Sequence, residues 1–322
     1  MQAVVLPGDG RVVVSELPDP ALGPGEALLD VRIAGICGTD LQLARGYMGF
    51  QGVPGHEFVA TVRDVASPAD RPLVGCRVVG EINLGCQECG WCAQGMSRHC
   101  PSRRVIGILG KQGAFAQRLT LPVSSLRVVP PELADEDAVF AEPVAAACEI
   151  LDQVRVDASV SVLVLGDGRL GLIISQVLAA RGAKLTLGGH HESKLAVARS
   201  MGIPARLLSG PAEPSHDLVV EATGSPGGLE EAQRWCRPRG TVVMKSTCAG
   251  AVTFDAAHAV VQELTLVGSR CGRLEPALEA LSSGAVRVAP LRAAEMPLEA
   301  APEAFARAAE PGTLKVLLRV PG

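Results

Sequence analysis

Residues 160–171 read Val-Ser-Val-Leu-Val-Leu-Gly-Asp-Gly-Arg-Leu-Gly: an apolar run that breaks at a glycine-rich turn and opens a helical pattern. A strand of that kind is buried on both faces, which a parallel sheet covered by helices provides. Within Gly-x-Gly-x-x-Gly, Gly166 gives the tight turn, Gly168 lets a pyrophosphate approach the backbone, and Gly171 lets helix and strand pack closely. The phosphate then lies at a helix N-terminus, where free N–H groups and the macrodipole favour an anion. Gly166, Gly168, Arg169 and Leu170 are therefore candidate cofactor contacts. Downstream, helix-like stretches (172–181, 193–201, 228–236) alternate with strand-like ones (184–187, 218–221, 241–244, 264–268). Such alternation predicts a doubly wound α/β sheet of the dinucleotide-binding kind.

The end of the second strand bears on which dinucleotide binds. An NAD site places Asp or Glu there to bond the ribose 2′-hydroxyl. This chain reads Leu187-Gly188-Gly189-His190-His191-Glu192-Ser193-Lys194, with no acid as the strand closes. A glycine at 189 with His190 and Lys194 beside it favours NADP(H) over NAD(H). Thr223 and the loop 245–247 join the candidate cofactor contacts by position.

The rest of the chain has another character. Residues 1–34 alternate like short strands between turn clusters at 18–20 and 23–25, and short strands continue at 58–62 and 77–81. This half predicts an irregular β-barrel-like domain with few helices. Helical patterning begins near 143, and the tail (275–282 helix, 300–309 helix, 314–319 strand) departs again from the alternating middle. A length of 322 residues makes two domains the default. The net charge of −4 gives no electrostatic footprint for nucleic acid. No apolar run approaches the roughly 18 residues of a membrane span. No secretion signal is visible at the start, so the cytoplasm is expected.

Ten cysteines in such a chain read as metal ligands and free thiols. Four of them, Cys86, Cys89, Cys92 and Cys100, fall within fifteen residues. Four thiolates at this spacing can close tetrahedrally around zinc in a structural site, knitting a lobe at 85–101 that has little apolar core of its own. The Cys-x-x-Cys-x-x-Cys run also admits iron–sulfur ligation, although the last gap is too long for the bacterial ferredoxin pattern. Upstream, Gly35-Ile36-Cys37-Gly38-Thr39-Asp40 and Gly55-His56-Glu57 offer a thiolate and an imidazole, donors that suit a catalytic zinc with an open position.

With Phe140-Ala141-Glu142-Pro143, Glu221-Ala222-Thr223-Gly224 and Leu266-Val267-Gly268-Ser269 added in this order, the chain resembles the zinc-dependent medium-chain dehydrogenase/reductase family, which includes the alcohol and polyol dehydrogenases. The resemblance implies a GroES-like catalytic domain (1–143 and 271–322) interrupted by a Rossmann domain (144–270), with the active site in the cleft between them. It implies two zinc ions per chain. Cys37 and His56 match the first two catalytic-zinc ligands, and Glu142 matches the third of the polyol-type branch. Glu57 matches the neighbouring acid, Asp40 the carboxylate that orients the ligand histidine, and Thr39 the hydroxyl that bonds the substrate oxygen and starts a proton relay. No histidine near 41–43 matches the one that ends this relay in some alcohol dehydrogenases. The implied reaction is reversible hydride transfer between a small-molecule alcohol, by analogy a polyol or sugar alcohol, and NADP(H), in a homodimer or homotetramer. The alternative is a family member that binds NADPH without dehydrogenase activity, as a sensor or structural protein; it would hold zinc only in the lobe.

Overall fold

The apolar run at 160–165 forms the strand Ser161–Leu165, four of whose five residues are buried. In a computed structural model that describes residues 1–248 and 251–321, this strand lies third in a six-stranded sheet. The order is Ala205–Leu207, Lys184–Gly189, Ser161–Leu165, His216–Glu221, Cys236–Met244 and Thr265–Gly268, with every neighbouring pair parallel. Counted along the chain this is 3-2-1-4-5-6, the doubly wound order that receives dinucleotides outside the carboxyl ends of its strands. The helix Arg169–Ala179 follows the glycine turn and buries Leu172, Ile173, Ile174, Val177 and Leu178. Each such side chain contributes roughly 1.5–3 kcal/mol of burial, which holds the helix N-terminus at the glycine turn beyond the carboxyl end of Ser161–Leu165.

The sheet belongs to one of two compact units, comprising Pro143–Pro276 and Ser283–Pro290; the other holds Met1–Glu142, Ala277–Ser282 and the stretch from Leu291 onward. In this second unit a seven-stranded sheet centres on Glu26–Gly35, which pairs antiparallel with Glu57–Val65, Arg118–Pro122 and Lys315–Arg319. The tail strand thus completes a sheet begun some 280 residues earlier, in register Leu317 to Gly35. Its core is mostly aliphatic, with Leu29, Val31, Val62 and Leu121 buried beside Phe58 and Phe115. Phe115 meets Phe305 edge-on at 5.9 Å between ring centres. The cysteine-rich segment connects Asn83–Leu84 to Arg104–Ile106 in a separate three-stranded sheet. No helix among the described residues is long and apolar enough to cross a membrane.

Candidate active site

Strand pairing explains how residues nineteen apart in sequence meet. Gly35, the last residue of Glu26–Gly35, is paired with Glu57, the first residue of the antiparallel Glu57–Val65. Cys37 lies just past the end of one strand and His56 just before the start of the other. The donor atoms of Cys37, His56 and Glu57 all lie within 4.8 Å of one another. Glu142 is outside that group; it stands half-buried in the first turn of Ala141–Gln153, and its charge reaches His56. Thr39, half-buried, sits on the helix Gly38–Ala44 that Cys37 caps.

Asp40 is fully buried behind the cluster. It accepts hydrogen bonds from the backbone N–H of Cys37 at 2.8 Å and of Gly55 at 3.3 Å. Its Oδ1 lies 3.6 Å from Nδ1 of His56, a buried nitrogen with no hydrogen-bond partner among the described residues. Burial alone pushes the His56 ring down, but the charge of Asp40, with Cys37 and Glu142, outweighs it and raises the pKa to about 10. The carboxylates of Asp40 and Glu142 that act on this ring make the surroundings negative, which favours a cation beside it. Thiolate, imidazole and carboxylate are the donors zinc takes in catalytic sites, and a buried carboxylate behind the imidazole is the kind of group that orients such a ligand. The residues present therefore fit the metal.

One residue here was not anticipated. Lys315 opens the tail strand with only 1% of its surface exposed. Its Nζ pairs with Oε2 of Glu57 and donates to the Ile36 carbonyl at 3.3 Å. Gly35 leaves the room: a Cβ there would fall 2.8 Å from that carboxylate oxygen and 3.2 Å from the ammonium. A lysine amid Leu-Lys-Val-Leu-Leu was the available signal, since a charge inside an apolar strand needs a partner.

In the lobe, Cys86, Cys89, Cys92 and Cys100 bring four sulfurs within 4.8 Å of one another, none of them in a disulfide. Corners of a tetrahedron about zinc at ~2.3 Å lie ~3.8 Å apart. Cys89 and Cys100 sulfurs stand 3.8 Å apart. That spacing suits a single ion and leaves no room for a multi-iron cluster. Hydrogen bonds from the backbone N–H groups of Glu88 and Cys89 lower the Cys86 thiol to about 7, while burial and the neighbouring cysteines push the Cys92 thiol up to about 11, so the four sulfurs share their negative charge unevenly. Cys100→Ser is expected to cost one zinc per chain and to open residues 85–101 to protease, with dinucleotide binding retained. Limited proteolysis with metal analysis checks this; a lobe as resistant as the parent would refute the structural-metal reading.

The glycine turn has the form its motif requires. Gly166 adopts φ +124°, Gly168 has nothing within 4 Å of where a Cβ would stand, and a Cβ on Gly171 would overlap the Gly166 carbonyl. Gly166, Gly168, Gly189, His190, Lys194 and Thr223 line one cavity of about 220 Å³. Arg169 and Leu170 begin the helix beside it, half-buried. Thr223 donates both its backbone N–H (2.8 Å) and its hydroxyl (2.6 Å) to Glu221. Lys245 turns inward instead, donating to the carbonyls of Ala146 and Arg270 at 2.6 Å. Asp167, a variable position of the motif, also lines the cavity: its Oδ2 accepts from the backbone N–H of His190 (2.8 Å) and His191 (2.7 Å).

Comparison with known proteins follows the same division. Residues 23–131 match the family model described as alcohol dehydrogenase GroES-like domain, and 170–283 the one described as zinc-binding dehydrogenase. The chain is 29% identical to D-altritol 5-dehydrogenase of Agrobacterium fabrum over 98% of each sequence. Among solved structures, alcohol dehydrogenase TADH from Thermus sp. ATN1 is 31% identical, with TM-score 0.90 and full coverage of both chains. A zinc-binding dehydrogenase from Sinorhizobium meliloti 1021, solved bound to NADP, is 26% identical, with TM-score 0.89 over 99% of this chain and 98% of its own.

Proposed function

Because the chain belongs to the zinc-dependent medium-chain dehydrogenase/reductase family and is an enzyme of the alcohol dehydrogenase/reductase kind, we propose that it transfers a hydride between a polyol or sugar alcohol and a nicotinamide dinucleotide. The observation that carries this reading is the gathering of Cys37, His56 and Glu57 around one point, with Asp40 behind the imidazole. The D-altritol relative supports the polyol class. In the proposed roles Cys37 and His56 hold a catalytic zinc, with Glu142 as the third ligand. The bond from Lys315 to Glu57 supports that choice, because it draws off negative charge that Glu57 would otherwise offer the metal. When bound, zinc supplies the Lewis acidity that lowers the pKa of a substrate hydroxyl, and the nicotinamide carries the hydride. Asp40 orients His56 from behind, and Thr39 accepts and passes on the substrate proton. The glycine turn holds the pyrophosphate against the N-terminus of Arg169–Ala179. A second zinc in the lobe and a homodimer or homotetramer complete the reading.

For the dinucleotide, the lack of a side chain at Gly189 supports NADP(H), as does the NADP-bound relative, although His190 and Lys194 beside it each face an acid, Glu231 and Asp167. A second reading, NAD(H), is supported by the Asp167 carboxylate beside that glycine. The test is a panel of polyols, simple alcohols and their ketones, assayed with NADPH and NADH in parallel on protein of known zinc content. Turnover of a polyol with two zincs per chain is expected. A protein that binds dinucleotide, holds one zinc and turns over nothing in the panel would favour the non-catalytic alternative.

A further inference from the structure

We infer that Asp167 sets the selectivity of the nucleotide pocket at the adenosine 2′ position, and that it acts against a 2′-phosphate. The inference rests on the reading that this pocket receives a nicotinamide dinucleotide. Its starting point is a steric complementarity between two residues 22 apart. Gly189 occupies the strand end where an NAD site carries its acid. A Cβ at Gly189 would fall 2.6 Å from Cγ of Asp167, so the carboxyl group from the glycine turn fills the space where a side chain at 189 would begin. The acid missing from the strand has been supplied from the neighbouring loop.

That carboxylate also takes up the groups a phosphate would use. An anion at this corner would be met by the backbone N–H groups that follow the strand, but those of His190 and His191 already donate to Asp167 Oδ2. The His191 ring stands 3.1 Å from both carboxylate oxygens, and the Lys194 ammonium 3.7 Å from Oδ1. The remaining base, His190, faces Glu231 at 3.7 Å. Each of the three basic side chains of the pocket thus has an acid beside it. The Asp167 side chain is only 7% exposed. Burial pushes its carboxyl up, but the bonds from His191 and the nearby charges of His191 and Lys194 prevail and hold it below the ordinary range. Asp167 is therefore a fixed negative charge at neutral pH. A 2′-hydroxyl is neutral and can donate to such a group, whereas a 2′-phosphate meets like charge. At an effective dielectric of ~20, like charges a few ångströms apart change affinity by well over about tenfold.

The experiment uses the full-length chain and measures dissociation constants for NADPH and NADH by nucleotide fluorescence. Asp167→Asn keeps the shape and one acceptor for the backbone N–H groups while removing the charge. Its NADPH constant should fall relative to its NADH constant by at least about tenfold. A second variant, Asp167→Gly with Gly189→Asp, returns the acid to the strand end in the space Asp167 vacates, and should favour NADH over NADPH by at least about tenfold. If the Asn variant binds both nucleotides in the parental ratio, or loses NADPH more than NADH, the inference is wrong. A swap variant that prefers NADPH overturns it equally. A parent chain that binds neither nucleotide refutes the dinucleotide reading itself, and the inference with it.

Discussion

Cys37→Ser is expected to lower turnover by about a thousandfold or more, roughly 4 kcal/mol of barrier, and to reduce bound zinc from two ions per chain to one. A serine hydroxyl keeps its proton at neutral pH, so the site loses its anionic sulfur donor and with it the charge that helps hold a dication. The imidazole stays behind with Asp40 3.6 Å away, one donor short of the three protein ligands a catalytic zinc takes. Dinucleotide binding should change by less than about twofold, because substitutions that share no partners act independently. The described residues that line the nucleotide cavity all belong to the other unit. Steady-state kinetics, metal analysis and nucleotide titration on one preparation read all three effects. Full turnover, or two zincs retained, would remove Cys37 from the metal site.

Which parts of this arrangement a reader of the sequence can see depends on how local their causes are. The strand Ser161–Leu165 and its glycine turn announce themselves because burial on both faces and the demand for backbone space are written in consecutive residues. The four lobe cysteines are legible for the same reason, since a tetrahedral site made from one loop has a short repeat. Cys37 and His56 are weaker, because neither spacing nor neighbours reveal that Gly35 pairs with Glu57. It took the family resemblance to join them. The carboxylates divide further. The resemblance points to Glu142 as the third ligand, while the folded chain gathers Glu57 with Cys37 and His56.

Other features escape the sequence because their causes are distant or faint. The short strand Ala205–Leu207 has two exposed residues of three, so it carries no alternation to detect. The helix Ala256–Val261 has no buried residue to mark an inward face, and Val260 and Val261 are exposed. Asp167 reads as an arbitrary residue of a glycine motif until the second strand is laid beside it. Lys245 looks available for a cofactor by position, yet it donates to Ala146, Ser269 and Arg270 within its own unit.

Lys315→Met is expected to destabilise the chain by about 3–5 kcal/mol, because removing one member of a buried ion pair strands the other charge. Both partners qualify as buried, each with 1% of its surface exposed. The stranded carboxylate of Glu57 lies within 4.8 Å of the Cys37 and His56 donors, so a bound zinc can take up part of the charge that Lys315 neutralised. The loss should therefore be smaller in zinc-loaded protein than after chelation. Replacing the whole pair, as Lys315→Met with Glu57→Leu, should recover most of the stability, since buried ion pairs exchange for apolar residues at little net cost. A double-mutant cycle of urea unfolding, run with and without chelator, isolates the coupling. A single variant as stable as the parent, or a double variant no better than the single, would mean that the ammonium does not hold Glu57 in place.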